Sequence, residues 1–145
     1  MNTLPEDVLD MIHTVMHEYR SLQYRFLRDG PFEITHMDGR VLAFFAAHPG
    51  ATQKDLAAHS GRDQAQLARL IKRLREEGLL EASQDESDRR SVRLSLTSRG
   101  NEIEATLKRQ AKRLSKKAVM GLSPDELQQL GNLLRAVRNN LAAEE

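Results

Sequence analysis

The stretch from Thr52 to Gly100 changes its hydrophobic period in a way that few folds accommodate. Apolar residues between 67 and 74 recur at helical spacing and share one face, whereas polar and apolar residues alternate strictly over residues 91–96, which is the period of a strand. Gly78 separates the two patterns, and glycine tolerates the left-handed backbone that commonly ends a helix. We therefore predict that a helical segment gives way to a β-hairpin here.

Two helices joined by a short turn are predicted before the hairpin. Thr52 is a suitable N-cap for the first helix, with Asp55 in its first turn, and Gly61 ends it. Asp63 is suited to cap the second helix, and Gln66 follows three residues later, as a capping box requires. The second helix is therefore expected to begin immediately after the turn.

The hairpin is predicted to have a charged tip. Residues 79–82 are the expected partner strand, and the segment 84–90 between the strands is too polar and charged to be buried. Helix, turn, helix and β-hairpin is the order of a winged helix-turn-helix, in which the second helix can enter the major groove of DNA.

The second helix has a polar side that suits DNA. Its polar residues on this side are Gln64, Gln66, Arg69, Lys72, Arg73 and Arg75. Glutamine can pair bidentately with adenine, and arginine with guanine or phosphate. Such a face is often only solvated, and helix-turn-helix shapes also occur in proteins that do not bind DNA. Adjacent arginines at the hairpin tip have no role in a core, however, and this coincidence favours DNA binding.

Composition excludes several classes of site. The formal net charge of +1 and a pI of about 8.1 do not by themselves indicate a nucleic-acid partner. The absence of cysteine excludes disulfides, thiol redox sensing and thiolate metal sites. Without a signal peptide or a membrane-spanning run, a soluble, cytoplasmic protein with no membrane contact is expected. His13 and His17 lack a third metal ligand of obvious spacing, and no metal or other cofactor is predicted.

Amphipathic helices are predicted at both ends of the chain. Near-heptad apolar stripes run along residues 4–28 and 123–141. The residues expected at helix–helix seams are Val8, Ile12, Val15, Leu127, Leu130, Leu134, Val137 and Leu141. We favour a symmetric homodimer, because it would bring two recognition helices to half-sites one helical turn apart. The alternative is that both stripes pack within one chain.

Four segments give the chain its resemblance to a known family. They are HPGATQKDLA at 48–57, LIKRLREEGL at 70–79, DESDRRS at 85–91 and LSLTSRG at 94–100. Together, at this spacing, they resemble the MarR family (multiple antibiotic resistance regulators) of bacterial transcription factors, over nearly the whole chain. The resemblance implies an obligate, roughly triangular homodimer with winged helices at two corners.

The expected fold class is mainly α with a small β wing. It is a winged helix-turn-helix flanked by N- and C-terminal dimerisation helices in one continuous structural unit. The N-terminal dimerisation helix is assigned to residues 1–33, the DNA-binding lobe to 34–99 and the C-terminal dimerisation helices to 100–145.

The resemblance also implies roles for individual residues. Arg90 is the wing arginine that enters the minor groove, Asp88 is the carboxylate that orients it, and Arg89 is a neighbouring phosphate or groove contact. The residues that fall on the DNA-reading helix face are Gln64, Ala65, Gln66, Arg69 and Arg73. Relatives often carry serine or threonine in this run, whereas Ala65 and Ala68 cannot form side-chain hydrogen bonds. The operator sequence therefore does not transfer from relatives.

The leading functional hypothesis is a sequence-specific regulator of transcription that binds double-stranded DNA at an inverted-repeat operator. It is expected to be a repressor, nucleoid-associated when bound, that a small aromatic or anionic effector releases. No pocket residues are assigned. The alternative is a ligand-independent architectural DNA-binding protein, and a further one is a winged helix that binds protein. An enzyme is not expected, because the sequence has no glycine-rich phosphate loop, His-Glu-x-x-His motif or nucleophile elbow.

Overall fold

The computed structural model of the chain describes residues 2–30, 32–88 and 90–143. Its helices and strands are α1 (Pro5–Asp29), α2 (His36–Ala47), α3 (Gln53–Ser60), α4 (Gln64–Glu76), β1 (Leu80–Gln84), β2 (Val92–Leu96), α5 (Ser98–Ala118) and α6 (Pro124–Ala142). The strands form one antiparallel sheet. The prediction of a mainly helical fold with a small β wing is confirmed.

The chain divides into two compact units, one up to Gln110 and one from Ala111 onward, and α5 runs from the first into the second. The first unit contains a contiguous hydrophobic core built from α2, α3, α4, the sheet and the start of α5. Its members include Val41, Leu42, Phe45, Leu56, Leu67, Ile71, Leu74, Leu80, Leu94 and Ile103. The helical periodicity of α4 is thereby explained, since its apolar face packs into this core.

Local capping rules explain where most helices begin. In the first unit, Thr35 and Thr52 start α2 and α3 with reciprocal capping boxes. In the second unit, Ser123 does the same for α6, with a proline at the first helical position. At α4 the predicted box is wrong. The Asp63 carboxylate accepts a hydrogen bond from the Ala65 amide at 2.8 Å, and no box with Gln66 is formed.

The hairpin is joined to the loop before α3. Strand β1 pairs with β2 from Leu80 opposite Leu96 to Gln84 opposite Val92, two residues beyond the predicted end of β1. Ala51 adds an isolated antiparallel bridge to Leu94. The Gly50 amide donates to the Leu94 carbonyl and the Leu94 amide donates to the Ala51 carbonyl, each at 2.9 Å. The wing and the helix-turn-helix are therefore connected by backbone hydrogen bonds.

The corner between β2 and α5 requires a residue without a side chain. The Thr97 hydroxyl donates to the Gly78 carbonyl at 2.6 Å and accepts from the Gly100 amide at 3.0 Å. These bonds bring the backbone of Gly100 against Leu79, so that a Cβ at position 100 would lie 2.2 Å from the Leu79 carbonyl oxygen. Only glycine fits this approach.

Candidate nucleic-acid interface

The outer face of α4 is exposed along its length. Gln64, Ala65, Gln66 and Arg69 are all exposed, whereas Leu67 on the opposite side is 1% exposed. Because Gln64 is the first residue of the helix, the two glutamines lie in its first turn, the part that contacts bases in helix-turn-helix proteins. The structure thus brings the predicted base-reading residues together on one accessible surface.

Arg73 differs from the rest of the predicted α4 contacts, because its partly exposed side chain is bonded to a buried carboxylate. Its Nη2 donates to Oδ1 of Asp38, a carboxylate that is 0% exposed. The other oxygen of Asp38 accepts the Thr35 amide of the α2 capping box at 2.8 Å. The hydrogen bond that Arg73 donates to Asp38 raises the pKa of Arg73, and the Glu77 carboxylate lies 3.7 Å from Nη1 of Arg73. Asp38 therefore connects the start of α2 to α4, a role that sequence reasoning missed.

The tip of the wing is held by its own polar side chains. Asp88 Oδ1 accepts the backbone amide of Arg90 at 3.0 Å, and Asp88 Oδ2 accepts the Ser91 hydroxyl at 3.2 Å. Asp88 thus fixes the backbone at Arg90, whose side chain is exposed. Within residues 2–30, 32–88 and 90–143, no hydrogen bond joins this carboxylate to the Arg90 guanidinium. The predicted contact Arg89 lies outside the described residues.

The loop that follows β1 begins with an ionised carboxylate. Asp85 Oδ1 accepts the hydroxyl of Ser87 at 2.8 Å and its amide at 3.0 Å, while Oδ2 accepts from Arg93 at 2.7 Å. These bonds, those of Ser87 foremost, lower the pKa of Asp85 to about 2. Sequence reasoning assigned no role to Arg93, although its position on the polar face of an alternating strand beside a charged loop was a usable signal.

The part of the chain that the structure describes has neither a cluster of potential metal ligands nor a membrane-spanning helix. There, no group of three or more histidine, cysteine, aspartate or glutamate residues is placed to hold a metal ion. His13 and His17 therefore belong to no such group in the described residues. Nor does any described helix combine the length and apolar character needed to cross a membrane.

The predicted seam residues are accessible in each unit. In α1, Val8 is 39% and Val15 52% exposed, and Ile12 is half-buried. In α6, the exposed members are Leu127, Leu130, Leu134 and Leu141, and Val137 is half-buried. No residue of either helix, as the structure describes them, is buried. Both helices therefore present apolar stripes to solvent in the single chain.

Comparison with known proteins shows similarity to one family. Residues 32–91 match the model described as the MarR family. A Bacillus subtilis (strain 168) protein named "Uncharacterized HTH-type transcriptional regulator YybA" is 29% identical over 94 residues, which are 65% of this chain. The match spans 63% of that relative, somewhat less than two thirds of its length.

Solved structures extend the similarity to most of the chain. An E. coli MarR mutant complexed with operator DNA is 25% identical to this chain, with a TM-score of 0.72, and the match covers 94% of this chain and 99% of that one. Streptococcus pneumoniae FabT in complex with DNA has the same fold, with a TM-score of 0.86, 21% identity and coverage of 94% and 96%. The family model over residues 32–91, the related regulator and the shared winged fold all point to the MarR family.

Proposed function

We propose that the protein is a sequence-specific, double-stranded DNA-binding regulator of transcription, and that it acts as a homodimeric repressor released by a small-molecule ligand. The observation that carries the proposal is the exposed first turn of α4, held in the same compact unit as the wing tip. Solved relatives named as complexes with DNA or with operator DNA support the choice of partner.

The two exposed surfaces suit two different grooves. The first turn of α4 offers Gln64 and Gln66 for bidentate contacts with adenine and Arg69 for guanine or phosphate, all in the major groove. The wing tip offers Arg90 to the narrower adjacent groove, whose negative potential attracts a guanidinium. Arg73 has N–H groups beyond the one that Asp38 accepts, and at 41% side-chain exposure it can still reach a phosphate.

A second copy of the chain is the proposed partner of α1 and α6. Exposed apolar stripes of this kind mark interaction surfaces, and heptad-like spacing suits another helix. A twofold dimer explains why one chain would need such stripes, since paired recognition helices read an inverted repeat with half-sites about 34–36 Å apart.

A small aromatic or anionic effector is the proposed release signal. A compound that binds a dimer unsuited to the operator more tightly than the DNA-competent dimer must weaken operator binding. We expect one compound to have two effects. At 100-fold excess over its Kd it should add about 2.7 kcal/mol to the free energy of unfolding and so raise the melting temperature, and it should also weaken operator affinity. Thermal-shift screening followed by operator titration at fixed salt checks both. Stabilising compounds that leave operator affinity unchanged would instead favour the ligand-independent architectural protein.

The DNA-binding proposal is tested at Arg90. Arg90→Ala is expected to weaken specific operator binding by roughly 1–3 kcal/mol, because a guanidinium in a narrow groove is removed. The wild-type protein is first used to select a duplex from a random DNA library. The affinity of each variant for this duplex, carrying a fluorescent label, is then measured by titration at several salt concentrations. Arg109→Ala is the matched control, since it removes a guanidinium from the polar side of α5. An Arg90→Ala protein that binds the selected duplex as tightly as the wild type does would exclude Arg90 from the DNA interface, and a wild type that selects no duplex would favour a protein-binding winged helix.

A further inference from the structure

The guanidinium of Arg93 makes contacts to two separate parts of the lobe. Its Nε and Nη2 donate to Oδ2 of Asp85 at 3.2 and 2.7 Å, and its Nη1 donates to the Gly50 carbonyl at 3.1 Å. Arg93 lies on β2, Asp85 begins the loop after β1, and Gly50 precedes α3. We call these three groups the wing clamp. One side chain thereby connects the wing to the entrance of the helix-turn-helix.

The wing tip is built outward from Asp85. The Asp85 amide donates to the Ser91 carbonyl at 3.1 Å, and the Ser91 amide donates to the Asp88 carbonyl at 3.0 Å. Asp88 in turn accepts the amide of Arg90. The backbone that carries Arg90 is thus connected through successive hydrogen bonds to the backbone amide of Asp85, the residue whose carboxylate Arg93 holds.

The clamp can also act on the loop before α3. Gly50 has φ +83°, a left-handed conformation, and its amide donates to the carbonyl of Leu94 on β2. Its own carbonyl accepts from Arg93. Both polar backbone groups of Gly50 are therefore bound to the wing strand, and displacement of the wing must disturb this turn as well.

We propose that Arg93, with Asp85 and the Gly50 carbonyl as its acceptors, is a positioning residue that fixes the wing tip relative to the helix-turn-helix and so sets how well Arg90 reaches DNA. The inference rests on the proposed DNA-binding function. Arg93 acts through Arg90 and needs no contact with DNA.

The rival interpretation is that Arg93 itself binds a phosphate, and the two make opposite predictions for Asp85. The Arg93 side chain is 47% exposed and Asp85 14% exposed. If Arg93 bound phosphate, Asp85→Asn would remove a competing negative charge and tighten DNA binding. If Arg93 positions the wing, the same substitution removes the charged acceptor of two of its three hydrogen bonds and weakens binding.

The experiment compares Asp85→Asn with Glu81→Gln by operator titration. Glu81 is an exposed carboxylate on β1, so its neutralisation changes the net charge equally and leaves the clamp intact. We expect Asp85→Asn to weaken operator binding roughly tenfold, within the range of a single lost specific contact, and Glu81→Gln to leave it unchanged or tighten it. Tighter binding by Asp85→Asn would overturn the proposal.

A double-mutant cycle tests whether Arg93 affects DNA binding through Arg90. Arg93→Lys keeps the charge but loses the fork of N–H donors, so we expect it also to weaken binding roughly tenfold. In an Arg90→Ala background the same change should add less than about twofold, because the side chain that it positions is absent. Full additivity of the two losses would contradict a positioning role.

A readout without DNA separates this inference from the proposed function. Amide hydrogen exchange of the free Arg93→Lys protein should accelerate roughly tenfold at Asp85, Arg90 and Ser91, while the Glu81 amide at the base of the sheet stays protected. If the wild-type protein selects no DNA duplex from the library, the proposed function fails. The amide hydrogen-exchange measurement alone then tests whether the wing clamp holds the wing tip. Unchanged exchange at the wing tip would refute the clamp, whether or not the protein binds DNA.

Discussion

Leu134→Glu is expected to abolish the proposed dimer and, with it, the proposed operator binding. Leu134 lies on the apolar stripe of α6 and is 43% exposed in the single chain, so burial in a second copy would place an unpaired carboxylate inside an apolar seam. Leaving a charge buried without a partner costs roughly 3–5 kcal/mol. Loss of the dimer removes the coupling between two recognition helices, and the remaining affinity should fall towards that of one half-site.

Light scattering and operator titration on the same samples check this result. The matched control is Gln128→Glu, which places the same charge on an exposed polar position of α6. Circular dichroism separates dissociation from unfolding. A Leu134→Glu protein that remains a stable dimer and still binds the operator would remove α6 from the proposed interface.

Gly100→Ala is expected to destabilise the lobe without touching the predicted DNA contacts. The added Cβ would lie 2.2 Å from the Leu79 carbonyl oxygen and 3.1 Å from its carbonyl carbon, so backbone on one side must move. Forced overpacking of this kind costs typically about 1–3 kcal/mol, and backbone neighbours cannot rotate away as a flexible side chain can.

Chemical denaturation measures the loss as a lower midpoint with an unchanged slope. Gly131→Ala in α6 is the comparison, because its Cβ would meet only the Arg135 guanidinium, at 3.4 Å, and alanine favours a helix by up to about 1 kcal/mol over glycine. The two substitutions should therefore change stability in opposite directions. Equal stability of Gly100→Ala and the wild type would show that the β2–α5 corner can relax.

Features fixed by neighbours in the sequence were predictable here. Thr52 with Asp55 and Ser123 with Pro124 mark helix starts correctly, because a capping box is complete within four residues. The change of period after Gly78 likewise located the hairpin, since side-chain alternation is a local property of a strand.

Contacts between distant residues were not predictable. The bonds from Arg73 to Asp38 and from Arg93 to Gly50 span 35 and 43 residues, and nothing in either local pattern names the other partner. A polar face alone shows that an arginine is outside the core, not which carboxylate or carbonyl it meets. The roles of Arg90 and Asp88 in DNA binding come from the family resemblance and stay predictions.

At the start of α4, helix capping and the proposed contact with a base would compete for one side chain. At α2, α3 and α6, the third helical residue uses its carboxylate to bind its own helix N-terminus. In α4 the third residue is Gln66, and the cap consists of Asp63 bonding to Ala65. A glutamine can close such a box through its carbonyl oxygen, but its side chain would then be held at its own helix N-terminus and could not pair with an adenine. The N-terminus of α4 therefore lacks a reciprocal capping box, and the amide side chain of Gln66 remains available for a base.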